Sequence, residues 1–68
     1  MPRMTLRAAR VNAGYSQKEV ADLLQISNKT LSSWENGDTF PSIKKIERLC
    51  ELYNMSYDDI KFFTQEVR

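Results

Sequence analysis

Apolar residues recur along this chain at three- and four-residue intervals, and short polar stretches interrupt them every ten residues or so. Such spacing marks one face of a series of short helices. Leu6, Ala9 and Ala13 define the inner side of a first helix from about Thr5 to Ala13, which Gly14 stops by taking a left-handed conformation. Ser16 and Glu19 then form S-x-x-E, the capping box in which a Ser oxygen and a Glu carboxylate satisfy amide donors at a helix start. Tyr15 and Val20 are placed for the accompanying hydrophobic staple. The second helix runs to about Leu24, with Val20, Ala21 and Leu24 inward. Only Gln25 and Ile26 separate it from Ser27, which opens a third helix that continues through Asn36 and ends at Gly37. Two helices joined by so short a turn cross steeply.

After the loop DTFPS, Pro41 or Ser42 starts a fourth helix whose apolar face is Ile43, Ile46, Leu49, Cys50 and Tyr53, and Asn54 ends it. Ser56 and Asp59 resemble another capping box, and Ile60, Phe62 and Phe63 supply a last short helix. No run alternates at period two. The pattern therefore predicts an all-α, compact five-helix domain over residues 1–68, with a helix-turn-helix at about 16–36 and no repeat, low-complexity segment or linker.

Composition narrows the function classes. A chain of 68 residues is one small domain, burying roughly 60% of the surface its unfolded form exposes, and has no room for a deep catalytic cleft. One Cys and no His leave no metal cluster, disulfide framework or thiol–imidazole pair. No metal or other cofactor, no enzymatic activity and no small-molecule ligand are expected. Cys50 reads as a small buried hydrophobe. The opening MPRMTLRAAR contains no apolar run of signal-peptide length, and no stretch approaches a membrane span, so the expected setting is cytoplasmic with no membrane partner. The net charge of +1 is unevenly spread: five basic against three acidic residues up to Gly37, then five against six. That asymmetry permits a polyanion-facing half.

The stretch SNKTLSSWENG, residues 27–37, has an unusual outer face. At 100° per residue, Asn28, Lys29, Ser32 and Ser33 share one arc, and Leu31 and Trp34 occupy the other side. Solvated helices usually carry Glu, Lys and Gln, which propagate helix better than Asn and Ser do. One use for short polar side chains there is the DNA major groove, where Asn pairs with adenine, Ser with a base edge or phosphate, and Lys with guanine or the backbone. The alternative is a solvated, Ser-rich face.

The segments Leu6-Arg7 with Arg10, GYSQKEVADLL, ISNKTLSSWENG, PSIKKIERLC and MSYDDI together resemble the phage-repressor and Cro type of helix-turn-helix domain, a five-helix DNA-binding family of XRE-like transcriptional regulators. The resemblance covers about four-fifths of the chain and rests on a combination of segments. It implies base contacts by Asn28, Lys29, Ser32 and Ser33. It also implies backbone contacts by Gln17, Ser27, Asn36 and Arg10, and a structural pair between Arg10 and Glu35. Gln17 suits its role physically, because helix N-termini favour anions. The chain departs from the family at Gln25, where Gly is frequent, so a strained turn is expected. Its small basic excess also implies modest nonspecific affinity for DNA.

These readings combine into a sequence-specific regulator of transcription that binds double-stranded DNA, a repressor acting as a homodimer on a palindromic operator. Tyr57, Phe62, Phe63 and Val67 are the candidate dimer surface. Adjacent Phe62 and Phe63 point 100° apart, so one of them faces a partner unless both are absorbed by the domain itself. The alternative function is a protein-interaction module, such as an antitoxin or adaptor, using that C-terminal aromatic surface.

Overall fold

The computed structural model describes residues 3–62. Four α-helices follow one another: α1 (Leu6–Ala13), α2 (Gln17–Leu24), α3 (Asn28–Asn36) and α4 (Ile43–Tyr53). A hydroxyl residue opens each one. Thr5, Ser16, Ser27 and Ser42 lie in extended conformation and accept the backbone amides of Ala8, Glu19, Thr30 and Lys45 respectively, which satisfies donors that have no partner inside the helix. At Ser16 the full capping box forms, Glu19 accepting in turn from the Ser16 amide at 2.8 Å.

Each helix also ends on a left-handed residue: Gly14 (φ 86°), Gln25 (φ 58°), Gly37 (φ 85°) and Asn54 (φ 55°). Glycine and asparagine adopt this conformation readily, whereas Gln25 carries the Cβ penalty of a left-handed L-residue, about 1–2 kcal/mol. Gln25→Gly is therefore expected to stabilise the fold by about 0.5 kcal/mol, the relief being partly offset by glycine's greater unfolded-state entropy. Thermal unfolding checks it, a higher midpoint being the expected result.

The expected fifth helix is not formed. Tyr57–Asp59 makes a single 3-10 turn, and the chain then extends as β2 (Ile60–Lys61), pairing in parallel with β1 (Met4–Thr5) in the register Met4 to Ile60 and Thr5 to Lys61. The Ser56 hydroxyl donates to Asp59 Oδ2 at 2.9 Å and does not cap an amide, so the helix start read at Ser56 is absent. Ile60 and Phe62 are 1% and 2% exposed with half-buried Lys61 between them. That is strand alternation, and it fixes both apolar side chains on the core side.

The core gathers Leu6 and Ala9 from α1, Val20, Ala21 and Leu24 from α2, Leu31 and Trp34 from α3, and Ile46, Leu49 and Tyr53 from α4. Two residues expected to join it do not. Ala13 lies on the correct side of α1 but in its final turn, past the edge of the core, and is exposed. Arg10 is buried on that helix instead. Ile43 occupies the first turn of α4, well round from the Ile46–Leu49–Tyr53 stripe, and is 72% exposed. Cys50, expected to be buried, is half-buried at the same margin of that stripe as Ile43; burial, with Glu47 nearby, holds its thiol above the ordinary value. Among the described residues no helix is long and apolar enough to cross a membrane, and no cluster of metal-ligating side chains is present.

Candidate nucleic-acid interface

The third helix is presented by its neighbours rather than by its own propensity. Leu31 and Trp34, 0% and 7% exposed, anchor its inner side, and Gln25, Ile26 and the Ser27 cap join it to α2. Ile26, half-buried against the core, donates its amide to Ala21 O at 2.9 Å, which closes the turn and fixes the relation of the two helices. Lys45 of α4 donates Nζ to Leu24 O at 2.9 Å, placing a cation where the dipole of α2 ends.

On the outer side, Asn28 and Lys29 are exposed in the first turn, and Asn36 is exposed at the far end. Ser32 and Ser33 are half-buried. Ser33 also holds the loop that follows: its hydroxyl accepts from Thr39 Oγ1 at 2.9 Å, and its carbonyl accepts the Asp38 amide at 3.0 Å. Ser27 Oγ accepts the Thr30 amide at 3.1 Å and lies 2.9 Å from Thr30 Oγ1, so its side chain is committed to the cap. The first turn of α3 contains no acidic residue, and its amide end is left to attract anions.

Beneath this surface lies a buried polar network. Arg10 Nε donates to Glu35 Oε2 at 2.7 Å, Nη2 to Glu35 Oε1 at 3.5 Å, and Nη1 to the Tyr15 carbonyl at 2.9 Å. The two side chains are 10% and 2% exposed. Of the two roles expected of Arg10, the pairing is the one this geometry displays, since the guanidinium turns inward. Gln17, the first residue of α2, donates Nε2 to Glu35 Oε1 at 2.9 Å, so the residue expected at the DNA backbone is tied to the same carboxylate. Tyr53 packs nearby, its ring centroid 6.2 Å from that of Tyr15. Burial and the Glu35 charge push its phenol well above the ordinary value, and Arg10 opposes them.

The C-terminal candidates divide. Phe62 is buried and stacks on Tyr57 with ring centroids 5.5 Å apart, so it cannot offer its surface to a partner as expected. Tyr57 is 51% exposed and shares with Ile43, Ile46 and Cys50 an open groove of about 560 Å³. Phe63 and Val67 lie outside the described residues. The sequence reading missed the Gln17 and Ser33 side-chain bonds and the Lys45 cap; a polar residue beside a cap and a Lys one turn into α4 gave no signal of their partners.

Comparison with known proteins agrees with this arrangement. The helix-turn-helix family profile matches residues 6–60. The chain is 43% identical over 53 residues to the HTH-type transcriptional regulator ImmR of Bacillus subtilis, covering 78% of this chain and 42% of that protein. It is 25% identical over 61 residues to the uncharacterized HTH-type transcriptional regulator YgzD of the same organism, covering 90% and 92%. To Antitoxin PezA of Streptococcus pneumoniae it is 34% identical over 55 residues, covering 81% and 35%. The match thus spans less than half the length of ImmR and of PezA. A cap-delimited helix pair, a polar helix displayed outward and a family match over most of the sequence converge: the chain belongs to the helix-turn-helix family of the phage-repressor and Cro type.

Proposed function

We propose that the protein regulates transcription by binding double-stranded DNA in a sequence-specific manner, with α3 in the major groove. The observation that carries this reading is the exposure of Asn28 and Lys29 in the first turn of a helix whose opposite side is locked by Leu31 and Trp34. A helix entering the groove reads bases mainly with its N-terminal residues. Asn28 and Lys29 would carry most of the specificity, with Ser32 and the donor hydrogen of Ser33 as shorter contacts. Gln17, Asn36 and the amide end at Ser27 would hold the phosphate backbone. ImmR and YgzD, both HTH-type transcriptional regulators, support the assignment.

In its finer form the reading is a cytoplasmic repressor of Cro type, residues 1–68 forming a single domain that binds a palindromic operator as a homodimer. One helix per domain supports the pairing, because two half-sites about one helical turn apart multiply a single modest contact surface. Exposed Tyr57 is the described member of the proposed dimer surface, to which the sequence also assigns Phe63 and Val67. Gln17→Ala is expected to weaken binding of all duplexes about equally, since phosphates carry no sequence. Titration of operator and unrelated duplexes checks this; a change in sequence preference would move Gln17 to the base-reading set.

A second reading draws on the similarity to Antitoxin PezA and on the exposed Tyr57–Ile43 groove: a protein-interaction module that binds its partner through this apolar surface. Salt separates the two. DNA affinity falls steeply and linearly on logarithmic axes as salt rises, whereas apolar binding does not.

A further inference from the structure

The Glu35 carboxylate is nearly sealed from solvent, and Gln17 supplies the closer donor to its Oε1, at 2.9 Å against 3.5 Å for Arg10 Nη2. Gln17 is half-buried at the first position of α2, and in the proposed reading its amide turns to a DNA phosphate. That rotation would strip Oε1 of its better donor in a place where an underpaired carboxylate oxygen is heavily penalised. A spare donor packs beside this network. The Tyr53 hydroxyl is buried with no hydrogen-bond partner among the described residues, on a residue 5% exposed. Its ring packs on Tyr15, whose carbonyl accepts from Arg10, and the Glu35 and Arg10 charges both act on it. Beside the network, therefore, stands one buried donor without an acceptor among the described residues, and the proposed DNA contact of Gln17 would cost the Glu35 carboxylate its closer donor.

We propose that Tyr53 is a positioning residue for DNA binding: when Gln17 leaves Glu35 for a phosphate, the Tyr53 hydroxyl donates to the Glu35 carboxylate in its place. The exchange rests on the proposed DNA contact of Gln17. It keeps the Arg10–Glu35 pair intact in both states and releases the phosphate-binding side chain without leaving a buried oxygen unpaired.

Tyr53→Phe removes the hydroxyl and keeps the ring, so it tests the exchange without opening a cavity. It should be measured alone and with Gln17→Ala, each variant by thermal unfolding of the free protein and by titration with a duplex selected by the wild type. In the wild-type background the free protein should be unchanged or slightly more stable, and DNA binding weaker by about tenfold, as for a lost hydrogen bond to a charged group. With Gln17 shortened to alanine the pattern should invert. Glu35 then needs the phenol already in the free protein, so Tyr53→Phe should lower the unfolding midpoint by about 4–8 °C and leave DNA affinity unchanged. Equal effects of Tyr53→Phe on stability in the two backgrounds would overturn the exchange whatever the DNA result, as would unaltered affinity in the wild-type background. A wild-type protein that binds no duplex would instead overturn the DNA-binding reading, and the paired stability measurements would still decide whether Tyr53 substitutes for Gln17.

Discussion

Glu35→Ala is expected to destabilise the domain by about 3–5 kcal/mol, because removing one partner of a buried ion pair leaves the other charge uncompensated. The magnitude follows from burial on both sides of the pair, with Arg10 and Glu35 side chains 10% and 2% exposed. It is a property of the broken pair rather than of the pair's net worth. Exchanging both residues for apolar ones of similar volume, Arg10→Met with Glu35→Leu, is expected to cost far less, since neither charge is then left behind. Chemical denaturation of the single and double variants measures the difference. A loss of under about 1 kcal/mol in Glu35→Ala is the value for a solvent-screened surface pair and would place the carboxylate in water. The pair ties α1 to α3 across the domain, and through Gln17 to the start of α2, so three helices lose a common anchor together.

Leu31→Ala carries the second large effect. Leu31 is 0% exposed on the inner side of α3, and truncating a fully buried Leu costs about 2–5 kcal/mol through lost transfer energy and the cavity left behind. The outer side of the same helix should behave in the opposite manner. Ser32→Ala removes a half-buried hydroxyl that makes no side-chain hydrogen bond among the described residues and is expected to change stability by less than about 0.5 kcal/mol. The contrast between two adjacent residues, one holding the helix and one displayed by it, is readable by denaturant midpoints alone. A small effect at Leu31 would mean that α3 is not seated on the core.

How legible this was in the sequence depended on the kind of signal. Helix boundaries were the clearest part, because they rest on local chemistry: a Ser or Thr at each start and Gly14, Gln25, Gly37 or Asn54 at each end act on their own neighbours. The Arg10–Glu35 pair is long-range and came only from the family resemblance. Nothing in the spacing of the two residues points to it. Ala13 and Ile43 show why periodicity overreaches: Ala13 lies on the apolar side of α1 but in its last turn, past the edge of the core, and Ile43 stands in the first turn of α4 at the margin of the apolar stripe. The last segment failed for a different reason. Ile60 and Phe62 satisfy either a helix or a strand over so short a run, and the choice was made by pairing with Met4 and Thr5, at the other end of the sequence. The site was legible as a polar arc, but the commitments of its members were not. Ser33 hydrogen-bonds Thr39 and Gln17 hydrogen-bonds Glu35, partners that only the folded arrangement brings within reach.

The central claim is that α3 reads DNA through Asn28 and Lys29. Selection of bound sequences from a random duplex library at near-physiological salt, with the wild type and with the Asn28→Ala, Lys29→Ala double variant, tests it most directly. Each lost bidentate base contact is worth about 1–3 kcal/mol of discrimination, so the account predicts an inverted repeat enriched by the wild type and lost or altered in the variant. Enrichment of no sequence, or of the same sequence by both proteins, would contradict it.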